Sequence, residues 1–308
     1  MVLTALQRGL LVGLLAALTL PAVTQAQVNG QIVFERGGCF WTMDADGSNQ
    51  TQIGNQFAAD FCPGNNRHPV WSPDGTKIAF TSDFHTTRPS NIYVMNADGT
   101  NVVWLNDALA DYDPAWSPDG AQIAFRSNRD GNVSSIYAIN VDGTGLHRIT
   151  SAAPASDEEP TWSPDGTQIA FHTNEMGVGI HIALIGADGG GRTDFRPDYV
   201  LGFDPAWSPD GTRIAYEGYD GTIPQQIYVM YPDGTQRTRL TYNTFIDLKP
   251  AWSPDSAMIA FERNISGHTH IFVMQADGTG QVDLTGPDGG EAPDWQNLPA
   301  PATARSSQ

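Results

Sequence analysis

The sequence predicts an all-β chain folded as a six-bladed β-propeller of four-stranded antiparallel blades, and three observations predict it. One phrase recurs along the chain: "HPVWSPDGTKIAF" from His68, "DPAWSPDGAQIAF" from Asp113, "EPTWSPDGTQIAF" from Glu159, "DPAWSPDGTRIAY" from Asp204 and "KPAWSPDSAMIAF" from Lys249. Its tryptophans, Trp71, Trp116, Trp162, Trp207, Trp252 and a last one at Trp295, are spaced 45, 46, 45, 45 and 43 residues apart. A period in the forties, rich in strand and turn signals, is one propeller blade. Finally, the repeat is cut at the chain ends: its first strand is missing at the front and left over at the back as Pro293-Asp294-Trp295.

Within one unit the strands follow in order. Pro114-Ala115-Trp116 forms the first, and "SPDG" (Ser117 to Gly120) turns the chain, with Pro presetting φ and Gly ending the turn. "QIAFRS" is the second strand, "SIYAINVDG" the third with its own Asp-Gly turn, and "LHRIT" the fourth. The run Ile123-Ala124-Phe125 suits a sheet buried on both faces between neighbouring blades, and each tryptophan is expected to fill the gap between two blades. The opening segments "QIVFERGG", "CFWTMDADG" and "QTQIG" match strands two, three and four. N-terminal strands in 31–54 and a C-terminal strand at 292–296 are therefore expected to complete one shared blade, closing the ring without a free edge.

The organisation outside the ring is also legible. "MVLTALQRGLLVGLLAALTLPAVTQAQ" places Arg8 before an apolar run and small residues around Ala26, the layout of a secretory signal peptide over 1–26. The propeller is expected over 27–296, and 297–308, polar and rich in Pro and Ala, reads as a disordered tail. The protein is thus expected to be periplasmic or secreted, with no stable membrane insertion. A formal net charge of −18 repels polyanions and argues against nucleic acid as a partner.

The phrase "PxWSPDGxxIAF…IYVMNADG…LT", present from Gln31 to Trp295, resembles the WD40-like repeat of the TolB family. That resemblance implies a periplasmic propeller that binds a lipoprotein at one end of its channel. The resemblance also implies a separate α/β domain before the propeller. Here only Gln27 to Gly30 stand between the expected cleavage point and the first strand, so a propeller alone is expected.

Strand order assigns the loops to two faces. The SPDG and Asp-Gly turns share one face, whose aspartates, such as Asp74, Asp119 and Asp98, read as turn residues rather than calcium ligands because Asp before Gly suits the turn. The opposite face carries the blade connectors and the loops between strands two and three, which differ from blade to blade and are the natural place for function. The residues preceding each PxW are expected to line the channel mouth: His68, Asp113, Glu159, Asp204 and Lys249, with Glu291 one step further out and Asp111, Asp157 and Glu158 close by. Carboxylates around a pore attract a basic side chain or a divalent cation such as calcium. No cofactor is otherwise implied.

His85, His172, His181, His268 and His270 fall near the same face without a metal-ligand spacing. The chain has no G-x-S-x-G, no H-E-x-x-H and no phosphate-binding glycine loop. The expected function is a monomeric, non-catalytic module binding an envelope protein or lipoprotein segment. A divalent-metal-dependent carbohydrate lyase or hydrolase acting in the same channel is the second reading. Cys39 and Cys62 both fall on the variable face. From Asp46 to Trp71 is 25 residues, against 18 to 20 for the corresponding spans elsewhere, and a disulfide pinning this longer loop is expected in an exported protein.

Overall fold

The structure, a computed structural model, describes residues 27–53, 66–83, 90–105, 110–131, 133–151, 155–196 and 200–299. The expected signal peptide, His85 and Cys62 lie outside them. Six four-stranded antiparallel sheets make six blades. Blade 1 is formed by Glu291–Pro299, Gln27–Arg36, Cys39–Met43 and Thr51–Gln52, in that order, so the two ends of the chain close the ring as expected. The innermost strands of blades 2 to 6 are Arg67–Trp71, Asp111–Trp116, Ser156–Trp162, Leu201–Trp207 and Ile246–Trp252. Each touches the next, and Glu291–Pro299 touches both Ile246–Trp252 and Arg67–Trp71.

The closing strand is longer than the sequence suggested. It runs past Trp295 because Gln27, Val28 and Asn29 offer it three further partners, Pro299, Leu298 and Asn297. Residues 297–299 therefore belong to the sheet instead of to a tail, and the first strand begins at Gln27, four residues before the expected start.

The core is divided into six clusters, one in each gap between blades, and each gap holds one of the six repeat tryptophans. Phe34, Phe80, Phe125, Phe171 and Phe261 are fully buried alongside them. The indole N–H of Trp116, Trp162 and Trp252 donates to the carbonyl of Val70, Ala115 and Ala206 in the preceding blade, at 3.2, 3.2 and 3.1 Å. A large apolar side chain with one donor thus fills the gap and stitches neighbours together.

The turn aspartates are satisfied locally. In each SPDG-type turn the serine hydroxyl donates to the aspartate, as from Ser117 to Asp119 at 2.6 Å, and accepts the backbone N–H of the residue five positions on. The same geometry recurs at Ser72, Ser163, Ser208 and Ser253. Hydrogen bonds from Ser117 and the Ala121 backbone hold the Asp119 carboxyl below the ordinary range. These are turn residues whose Oδ1 is already used.

Candidate functional site

Every innermost strand breaks its ladder at the same place. In blade 3 Tyr112 pairs with Arg126 and Ala115 with Ala124, so Asp113 and Pro114 together oppose Phe125. The same β-bulge occurs in blades 2, 4, 5 and 6, with a matching irregularity in blade 1. Proline is tolerated there because a bulge needs no ladder donor. The residue before it takes a left-handed conformation: His68 φ 52, Asp113 φ 56, Glu159 φ 55, Asp204 φ 45, Lys249 φ 47 and Ala292 φ 49. That region costs a non-glycine residue about 1–2 kcal/mol, and here it recurs six times around one ring.

This ring is the set of residues expected from the sequence, with one difference. The sixth place belongs to Ala292, whereas Glu291 is exposed beside it and faces Glu35 across the strand pair. Nor does the ring lie at the first residues of the strands. Glu159, Asp204 and Lys249 are each fourth in a strand of seven residues, which sets them inside the channel. Asp111, Asp157 and Asp247 do not face it. They are buried and paired with Arg129, Arg192 and Arg263, because a carboxylate out of water needs a cation.

The bulge leaves backbone N–H groups without ladder partners, and side chains from neighbouring blades accept several of them. Glu35 takes that of His68 at 2.5 Å, Thr81 that of Asp113 at 3.2 Å, Glu159 that of Asp204 at 3.0 Å and Glu262 that of Ala292 at 2.6 Å. Three of these acceptors follow the buried aromatic of the second strand. The same column holds Arg126, His172 and Glu217 in the other blades.

Ring and column together form a belt. His68 Nδ1 is paired with Asp113, whose other oxygen lies 2.6 Å from Arg126 Nε. Arg126 Nη1 reaches Glu158 Oε2, also at 2.6 Å. His172 Nδ1 lies 2.7 Å from Glu159 Oε2. Lys249 Nζ lies 3.4 Å from Glu262 Oε1 and 3.1 Å from His68 Nε2. Between His172 and Lys249, the carboxyl of Asp204 is hydrogen-bonded to those of Glu159 and Glu217.

Burial, reinforced by neighbouring carboxylates, pushes Glu159 up to about 7 and Glu217 up to about 9, and holds Asp204 well above the carboxylate range. Burial also acts on Asp113, but His68 and then Arg126 outweigh it and keep that carboxyl below the ordinary range. On one side of the belt charges are paired; on the other, burial favours the protonated form of the acids.

From this belt a cavity of about 370 Å³ extends to the turn face. Its wall is made of the ring prolines, such as Pro114, Pro160 and Pro205, with Val70, Ala115, Thr161, Ala206 and Ala251. Asp294 occupies the corresponding place in blade 1, half-buried and pushed by desolvation up to about 7, with its Oδ2 accepting the Trp71 N–H at 2.7 Å.

The histidines do not converge. His172 belongs to the belt, His181 pairs with Asp194 at 3.3 Å, His270 with Asp283 at 2.9 Å, and His268 is exposed. Among the described residues no group of three or more His, Cys, Asp or Glu is placed to hold a metal ion, and no helix is long and apolar enough to cross a membrane. Cys39 is disulfide-bonded. Cys62, its expected partner, lies outside the described residues.

A closed ring of six four-stranded blades around a belted channel defines the molecule as a β-propeller with its candidate site on the axis. The family model of the TolB β-propeller domain matches residues 50–193 and 198–296, and the chain belongs to that family. TolB from Acinetobacter baumannii superposes with a TM-score of 0.74 at 19% identity, over 87% of this chain and 66% of that one, so the chain spans just under two thirds of that protein. A putative TolB from Agrobacterium tumefaciens gives 0.70 at 21% identity, over 86% and 91%. A chain of the nidogen/laminin complex gives 0.66 at 10% identity, over 86% and 98%. At such identities the likeness is one of fold. No curated protein sequence matches the chain.

Proposed function

We propose that the protein is an exported, monomeric, non-catalytic binding module that receives a segment of a cell-envelope protein or lipoprotein at its central channel. The observation that carries this reading is the axial cavity of about 370 Å³, apolar along its wall and closed by a belt of charged and protonated groups. Apolar walls with a few placed polar groups are how proteins hold short ligand segments. The opposite, loop-rich face adds exposed apolar side chains, Met176, Tyr242, Phe245 and Ile246, of the kind that anchor protein partners. The monomeric state is supported by outermost strands of only two or three residues, which offer almost no edge for pairing with another copy.

The test is a pull-down with tagged full-length protein against an envelope extract of its source organism, read by mass spectrometry, with Ala206→Phe as the control that fills the channel. Stoichiometric capture of one envelope protein, lost in Ala206→Phe, is expected. Capture that survives the filled channel would move the site elsewhere, and no capture at all would reject the reading.

A further inference from the structure

Five of the six ring positions carry a polar side chain, and the sixth, Ala292, carries none. This gap falls in blade 1, where the two ends of the chain meet. Lys249 of blade 6 spans it, placing Nζ 3.1 Å from Nε2 of His68 in blade 2. An ammonium has donors only, so this contact requires a lone pair on Nε2. The other ring nitrogen, Nδ1, faces the Asp113 carboxylate and is the one that carries the proton. His68 is thereby held as one neutral tautomer with both nitrogens engaged.

The charged groups around it come from each neighbouring blade. Blade 1 contributes Glu35, which accepts the His68 N–H, and Glu291 near Glu35; blade 3 contributes Asp113 with Arg126 behind it; blade 6 contributes Lys249 with Glu262 behind it. We propose that His68 and Lys249 form a proton-operated latch across the seam of the ring, closed while His68 is neutral and released when Nε2 is protonated, and that its release admits the partner's segment to the channel.

The last clause rests on the binding-module reading above; the latch itself does not. Protonated Nε2 points a proton and a positive charge at an ammonium 3.1 Å away, and like charges at that distance repel strongly in a partly buried site. Lys249 keeps Glu262 to move toward, and His68 keeps Asp113, so each half of the broken latch retains an anion. Burial disfavours the charged imidazole, but the adjoining Asp113 carboxylate prevails and raises His68 above its ordinary value, so release does not require strong acid.

The experiment follows the His68 ring signals by NMR against pH in the full chain, with His68→Asn identifying them. Lys249→Met and Lys249→Gln remove the like charge, and the His68 midpoint is expected to rise by about one unit in both. Acrylamide quenching of tryptophan fluorescence is expected to increase in the wild type as pH falls through the His68 midpoint, and to be high at every pH in the Lys249 variants. An unchanged His68 midpoint in both variants, or quenching that ignores pH, overturns the latch. Pull-downs above and below the midpoint separate the two ideas. Equal capture at both values sinks the gating clause and leaves the binding module standing. Absence of capture at either sinks the module, and the His68 titration then judges the latch alone.

Discussion

Glu159 Oε2 accepts the backbone N–H of Asp204 at 3.0 Å, and the two side-chain carboxyls share a hydrogen bond of their own. Two carboxylates cannot share a hydrogen bond unless one holds a proton. Glu217 extends the pair to three, so the channel is less negative than a count of its acids implies.

Replacing Glu217 by Gln is therefore expected to stabilise the protein in mild alkali. A carboxyl raised to about 9 in the folded state, against 4.5 ordinarily, binds more protons folded than unfolded between those values. Folding stability consequently falls as pH rises through that window. Glutamine keeps the hydrogen bond without titrating. Thermal unfolding should show Glu217→Gln more stable than wild type by about 2 kcal/mol at pH 8.5 and close to it at pH 4.5. A difference independent of pH would remove the protonated-acid account.

Much of the fold was readable because the repeat is written in turn chemistry and tryptophans, which act locally. Ring closure was readable too, since an orphan first strand at one end matches its absence at the other. The bulge was not foreseen, although its signal was present: a proline in the middle of an inner strand, in every copy, is tolerated only where the ladder is broken. Arg126, Glu217 and Glu262 were missed, and His172 was placed only near the loop-rich face, although all four occupy one varying column in an otherwise uniform phrase. Their partners, Asp113, Glu159, Asp204 and Lys249, lie on the adjoining innermost strand of the same blade in all four cases, and the bulge sets the register that brings them together. Asp111 and Asp157 looked like channel residues for want of knowing where Arg129 and Arg192 would lie.

Glu262 is expected to matter more for stability than an ordinary ion-pairing residue. Its carboxylate accepts the buried N–H of Ala292 at 2.6 Å while also facing Lys249. Glu262→Ala leaves the Ala292 N–H without its acceptor and Lys249 without its anion, and should cost about 2–3 kcal/mol in urea unfolding. Glu262→Gln, which retains an acceptor oxygen, should recover most of that loss. Equal losses in the two variants would assign the effect to charge alone.

Ala292 provides a test of the backbone strain. At φ 49 its methyl group disfavours a conformation that glycine adopts freely, and the residue makes no polar side-chain contact. Ala292→Gly is expected to raise stability by up to about 1 kcal/mol, where the same change at an ordinary strand position would lower it by a similar amount. Chemical denaturation of Ala292→Gly beside Ala251→Gly, an inner-strand site outside the left-handed region, makes the comparison internal.

The buried pair of Asp247 and Arg263 sets the largest expected loss. Arg263 Nε and Nη2 donate to the two oxygens of Asp247 at 2.7 and 2.8 Å, and the guanidinium lies against Phe261 and Phe272. Both side chains are almost wholly inaccessible to water. Asp247→Ala strands a cation that has little route to solvent, at a cost of about 3–5 kcal/mol. Replacing the pair together, as Asp247→Leu with Arg263→Met, removes the stranded charge and should recover a large part of the loss, because apolar packing can replace a desolvated ion pair. Calorimetric unfolding of the single and double variants reads the difference directly. A double variant no better than Asp247→Ala would show that the remaining contact of Arg263 with Gln281, at 2.9 Å, and its stacking on the two rings contribute more than the pairing.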